Sequence, residues 1–234
     1  MNVVILQPSY IPWRGVFDQI QRADLFIFYD DVQYDKRGWR NRNQIKTPQG
    51  KQWLTIPVHS RGAQTQNISI NQIRIAWDHP WNETHRKAIQ QSYSKAMYFE
   101  RYQTLLETFY QRRDEFLADF TIDFTIALAR ELGNTHTHFL RSSEIAGING
   151  QKTDRLIQIL QAMGATHYIS GPSARDYIEG EKFEGAGITL EYMQYKYPEY
   201  PQLYPPFDPQ VSVLDLLFMT GLEAPDYIFK GSHV

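Results

Sequence analysis

Two short apolar runs near the N-terminus, VVILQ from Val3 to Gln7 and the core of DLFIFYDD from Asp24 to Asp31, constrain the fold more than anything else in the chain. Neither alternates with polar residues, which is the pattern of a strand buried on both faces. Between them, Val16, Ile20 and Ala23 fall on one side of a helix of about three turns. Strand, helix and strand within so short a span make a βαβ unit, which requires a parallel pair and a right-handed crossover. The N-terminus therefore predicts an α/β fold.

The pattern changes between Val32 and Ile75. QYDKRGWRNRNQIKTPQGKQWLTIPVHS alternates about a TPQGK turn and predicts a β-hairpin, and QNISINQIRIAW predicts one or two further short strands. A helical insertion at about residues 77–133 follows, opening near Pro80, with Asp114 expected to cap a later helix. The α/β rhythm then resumes: HTHFLRSSEI as a strand, TDRLIQILQAMGA as an amphipathic helix, and THYISG and ITLEYMQY as strands around a helix at SARDYIEG. YPEYPQLYPPFDP is a proline-rich loop too aromatic for a flexible linker, and VSVLDLLFMTG reads as a buried helix ending at Gly221. The whole chain, 1–234, is expected to form one domain.

Composition excludes several classes of function. The 24 basic and 26 acidic residues leave a formal charge of −2, so no sequence-wide field attracts nucleic acid or an anionic membrane. Cysteine is absent, which removes disulfides, thiolate metal sites and cysteine nucleophiles. The opening lacks a basic signal-peptide start and no apolar run is long enough for a bilayer, which predicts a cytoplasmic protein without membrane insertion. The seven histidines do not fall at metal-ligand spacings, so no metal is assigned. No G-x-S-x-G, Walker A or G-x-G-x-x-G string occurs.

Three stretches remain for chemistry. QPSYIPWRG follows the first strand, where open α/β sheets bind ligands. There a helix N-terminus and Arg14 would attract an anion, and Gln7, Ser9, Tyr10 and Trp13 would orient it. Equally, it is a rigid turn whose Tyr10 and Trp13 pack inward. YDDVQYDKRGWRNRNQI follows the second strand; Arg40 and Arg42 would share one strand face as a phosphate or carboxylate clamp, with Asn41 and Asn43 on the other. Its alternative is a solvated hairpin with surface ion pairs. ISGPSARDYI places Ser170 and Gly171 at a strand end, Ser173 as a helix cap and Arg175 beyond it, a second anion-receptive helix start or simply a well-capped helix. Asp30, Asp31 and His85 are the candidate bases.

Taken together, QPSYIPWRGVFDQI, YDDVQYDKRGWRNRNQI, LGNTHTHFLRSSEI and YPQLYPPFDPQVSVLDLLF resemble, in collinear order, the WbqC-like family of bacterial proteins often encoded with O-antigen and other surface-polysaccharide genes. The resemblance implies a role in acyl or aminoacyl, for example glycyl, transfer during glycan assembly. More distantly, the first turn and ISGPSAR look like nucleotidylyltransferase and class I synthetase domains, which implies a three-layer Rossmann-like (HUP-like) sheet. Those domains carry HxGH after the first strand; here no histidine stands between Gln7 and Asp18, and Gly171 and Pro172 interrupt the late loop. That departure favours holding a nucleotide or sugar nucleotide over adenylyl transfer. The expectation is a transferase of surface-glycan biosynthesis acting on such a small molecule, with oligomerisation left open and no other cofactor assigned. A non-catalytic binding or scaffold protein of the same pathway and an ATP-dependent ligase are the alternatives.

Overall fold

Successive side chains of the first strand enter different cores. Val3 and Ile5 pack with Leu156, Ile159, Leu160 and Phe183, whereas Val4 packs with Phe17, Ile20, Phe26 and a large aromatic cluster. Because side chains alternate across a strand, both faces of this one are covered by apolar layers, and its sequence reads as an unbroken apolar run.

A computed structural model describes residues 1–229. In chain order the strands are β1 (Asn2–Leu6), β2 (Leu25–Phe28), β3 (Arg42–Thr47), β4 (Gly50–Thr55), β5 (His138–Arg141), β6 (His167–Ser170) and β7 (Thr189–Tyr192). The helices are α1 (Arg14–Arg22), α2 (Trp81–Tyr93), α3 (Phe99–Tyr110), α4 (Leu117–Glu131), α5 (Lys152–Ala162), α6 (Gly180–Gly185), α7 (Val213–Thr220) and α8 (Ala224–Phe229). Five strands form one sheet in the order β5-β2-β1-β6-β7, with every neighbouring pair parallel. Helices α5 and α6 cover one face; α1, the inserted α2–α4, α7 and α8 build the core on the other. This is an α/β fold with three layers.

Strand order reverses at β1, the position where doubly wound sheets open a crevice beyond the strands' carboxyl ends. The β1–β2 ladder runs as far as Leu6 and Phe28, but the β1–β6 ladder pairs Asn2 with His167 and Val3 with Tyr168 and goes no further. The two strands thus part before their carboxyl ends. The predicted hairpin is β3–β4, closed at Thr47 and Gly50, where φ of +108° suits a residue without Cβ.

Three local expectations need correction. QNISINQIRIAW forms a 3₁₀ turn at Ile70–Gln72 and isolated bridges instead of strands, since Ile70 and Ile73, three apart and fully buried, meet one core only in the tighter helix. Phe116, not Asp114, is the N-cap of α4; the Asp114 carboxylate accepts from Arg112 at 2.6 Å and its carbonyl from Trp77 Nε1 at 2.8 Å. SARDYIEG yields a five-residue 3₁₀ turn, Pro172–Asp176, capped at Gly171 without a side-chain bond, so Ser173 caps nothing.

Candidate functional site

A cavity of about 310 Å³ opens at the carboxyl end of β1. Its floor comes from the first turn, through Gln7, Ser9, Pro12 and Trp13. One wall is the segment entering β3, with Trp39, Arg40 and Asn43, and the facing wall is the irregular C-terminal strap, residues 193–212, with Tyr197 and 209–211. The size lies at the lower end for small-molecule sites, and the aromatic lining with a few polar groups is their usual composition.

The first turn is strained and firmly held. Ile11, β-branched and buried, sits at φ of +36°, a conformation that costs about 1–3 kcal/mol. Asn43 offsets this from the hairpin: its Nδ2 donates to the carbonyls of Tyr10 at 3.2 Å and Ile11 at 2.8 Å. Trp13 is the N-cap of α1, and its indole lies so close over Gly15 that a Cβ there would stand 2.0 Å from the ring. The indole thus lies against the first turn of the helix expected to receive an anion, where the Val16 N–H already donates to the Trp13 carbonyl, and it also lines the cavity.

Arg40 supplies the charge. It precedes β3, and its Nη1 donates to the backbone carbonyls of Gln7 at 3.0 Å and Pro8 at 3.4 Å, leaving a buried Nε–H without a partner. Burial lowers its pKa to about 10, while Asp35, Tyr34 and Tyr177 act in the opposite sense, so it is a cation at neutral pH. Among the described residues it joins no ion pair. None of the residues lining the cavity is a carboxylate. A partly desolvated cation outside any ion pair is suited to a phosphate or carboxylate.

The other sequence-derived candidates lie elsewhere. Arg42 starts β3 and turns away from Arg40, with its guanidinium 4.7 Å from the Trp53 ring centroid and Nη2 donating to the Arg37 carbonyl, so the expected two-arginine clamp does not form. Asn41 is buried and donates to the Ile56 carbonyl. Arg14 is also buried, 5.2–5.9 Å from the ring centroids of Tyr195, Tyr197, Tyr200 and Phe207, and donates to the Pro198 carbonyl, which pins the strap. The ISGPSAR segment is no wall of this cavity: Ser170 donates to the Tyr168 hydroxyl, Gly171 caps the short turn bearing Ser173, and Arg175 lies over Tyr192.

Each of the three candidate bases is engaged by neighbouring side chains, and none lines the cavity. Asp30 is fully buried; its carboxylate accepts from the Ser143 amide and hydroxyl, and its N–H donates to Ser142 Oγ. Asp31 accepts from Ser142 Oγ and pairs with Arg155. His85 is buried among Trp81, Tyr10 and Tyr110, and its Nδ1 lies at hydrogen-bond distance, 2.9 Å, from the Tyr10 hydroxyl, which also meets that of Tyr110. Tyr10, fully buried, packs in the core and is not among the residues lining the cavity.

Burial lowers the His85 pKa from 6.5 to about 4. The unfolded chain then binds a proton that the native state refuses, so this contribution to stability is complete above pH 6.5 and is lost as pH falls toward 4. The loss is up to about 3 kcal/mol. Urea melts at pH 7, 5.5 and 4.5 should show it, with a shallower acid slope in His85→Gln; identical slopes in both proteins would remove His85 as the cause.

Sequence reasoning passed over Trp39, Tyr197 and residues 209–211. Trp39 lies beside Arg40 in a stretch already marked for chemistry, and the aromatic excess of the strap was the signal for Tyr197. The WbqC-like protein family model matches residues 7–227. An uncharacterized protein of Mycobacterium tuberculosis, Rv1507c, is 41% identical over 229 residues, spanning 97% of each chain. No solved structure matches.

Proposed function

Since the chain belongs to the WbqC-like protein family, we propose that it serves surface-glycan assembly by binding a nucleotide or nucleotide-linked sugar at the carboxyl end of β1. One observation carries this reading: Arg40, a cation in no ion pair among the described residues, stands in a wall with aromatic rings where the strand order reverses. A phosphate satisfies the cation, and Trp13, Trp39 and Tyr197 offer faces to a sugar or base. The strained, cross-braced turn is the kind of backbone that accumulates at binding sites.

Acyl or aminoacyl transfer, glycyl transfer included, is the activity we assign to such a site. With no carboxylate or histidine in the lining, transfer here depends on positioning and on charge neutralisation by Arg40. The same lining favours a second reading, a binding protein without turnover. A thermal-shift screen with nucleoside diphosphates and amino-sugar nucleotides should raise Tm with at least one of them. Mass spectrometry after addition of acyl and aminoacyl donors then separates the readings: a modified sugar nucleotide marks a transferase, and a stoichiometric unmodified ligand marks a binder. No shift with any nucleotide would sink the proposal.

A further inference from the structure

Trp39 stands in two settings at once. It lines the cavity, and its ring also packs on Trp53 of β4 with centroids 5.2 Å apart and planes 37° apart. Trp53 in turn carries the Arg42 guanidinium over its ring at 4.7 Å, which braces the indole behind Trp39 and adds a positive charge to the platform. Both indoles remain open to water, Trp39 by 48% and Trp53 by 42%. The placement is not random. Of the seven exposed large hydrophobic side chains among the described residues, the four aromatic ones gather here: Trp39 and Tyr197 line the cavity, Trp53 stacks on Trp39, and Tyr177 lies within electrostatic reach of Arg40, whereas Met1, Met97 and Leu222 do not line it. Exposed rings clustered at one mouth mark a surface that something covers.

Size and chemistry indicate what covers it. A cavity of about 310 Å³ accommodates one ring and its phosphate more readily than the two rings of a nucleotide-linked sugar. The second ring must leave past Arg40 and over Trp39. A nucleobase suits that shelf, because it stacks through its face on an indole while its polar edge stays in water. A sugar suits the cavity, because its hydroxyls need partners such as Gln7, Ser9 and Gln210, which stand there. We infer that Trp39, Trp53 and Arg42 form a nucleobase subsite, with the diphosphate at Arg40 and the sugar enclosed. This rests on the nucleotide-sugar reading given above.

The test compares ADP and UDP with inorganic pyrophosphate, which has the charge without the base, by calorimetry at fixed salt. Wild type should bind the nucleotides more tightly than pyrophosphate. Trp53→Ala should weaken the nucleotides roughly ten-fold or more and leave pyrophosphate within two-fold, and Trp53→Phe should recover most of the loss. An exposed β4 side chain gives the variants a near-native Tm, which is checked alongside. Nucleotides binding no better than pyrophosphate to wild type, or equally well to Trp53→Ala, would overturn the shelf and leave the anion site standing. Failure of all three probes on wild type would overturn the nucleotide reading and the shelf with it.

Discussion

Arg40→Ala is expected to abolish measurable binding of phosphate-bearing ligands while the protein still melts cooperatively. Arg40 brings the positive charge to the cavity lining and joins no ion pair among the described residues, so an incoming anion meets an uncompensated guanidinium. Truncation removes a charge-assisted contact of about 2–4 kcal/mol, a loss of 30- to 1,000-fold in affinity. The fold loses less. Of the two carbonyls released by the substitution, that of Gln7 borders the cavity and can turn to water, and that of buried Pro8 loses only the longer 3.4 Å contact, so stability should drop by about 1–2 kcal/mol. Arg40→Lys keeps the charge but cannot both hold those carbonyls and present a second donor, so its affinity should fall between wild type and alanine. Titration calorimetry with melting curves separates the two effects. Binding within three-fold of wild type in Arg40→Ala would move the anion site elsewhere.

What could be read in the sequence, and what could not, divides by the range of the interactions. β1 and β2 were legible because a strand covered on both faces has no choice but to be apolar, and the β3–β4 hairpin because TPQGK confines it locally. Side-chain destinations were less legible. His85, Tyr10 and Arg14 look like reactive groups by residue type, yet each is buried by partners 75 to 184 positions away, which no local pattern encodes. Arg40 and Arg42 illustrate the same limit at short range. Alternation would put them on one face, but the strand starts only at Arg42, so the backbone between them is not yet extended in the sheet and the two guanidiniums diverge. The strap was recognisable as ordered from its aromatics, but its role as a cavity wall depends on contacts with the first turn at the other end of the chain.

That dependence makes Asp215 the residue whose loss should cost most in stability. Its carboxylate sits in the first turn of α7, almost fully buried, and accepts from Tyr93 at 2.8 Å, Tyr200 at 2.7 Å and Gln202 at 2.9 Å. Gln202 in turn accepts from Lys46 of β3 at 2.6 Å, and Lys46 also reaches the Pro206 carbonyl, so one carboxylate ties α2, α7, the hairpin and the strap. Asp215→Ala strands the two buried tyrosine donors and releases the Gln202 amide, which keeps the Asp208 carbonyl, and should cost about 3–5 kcal/mol, a fall of about 10 °C in Tm for a chain of this length. Burial raises the Asp215 pKa against the pull of those donors and of Lys46, which shows that charge is poorly accommodated there. Asp215→Asn, which keeps an acceptor and removes the charge, should therefore cost clearly less than alanine. The strap carries Tyr197 and 209–211, so Asp215→Ala should also weaken ligand binding, without touching the cavity directly. A Tm within 2 °C of wild type, or Asn as damaging as Ala, would show that the strap is held by other contacts.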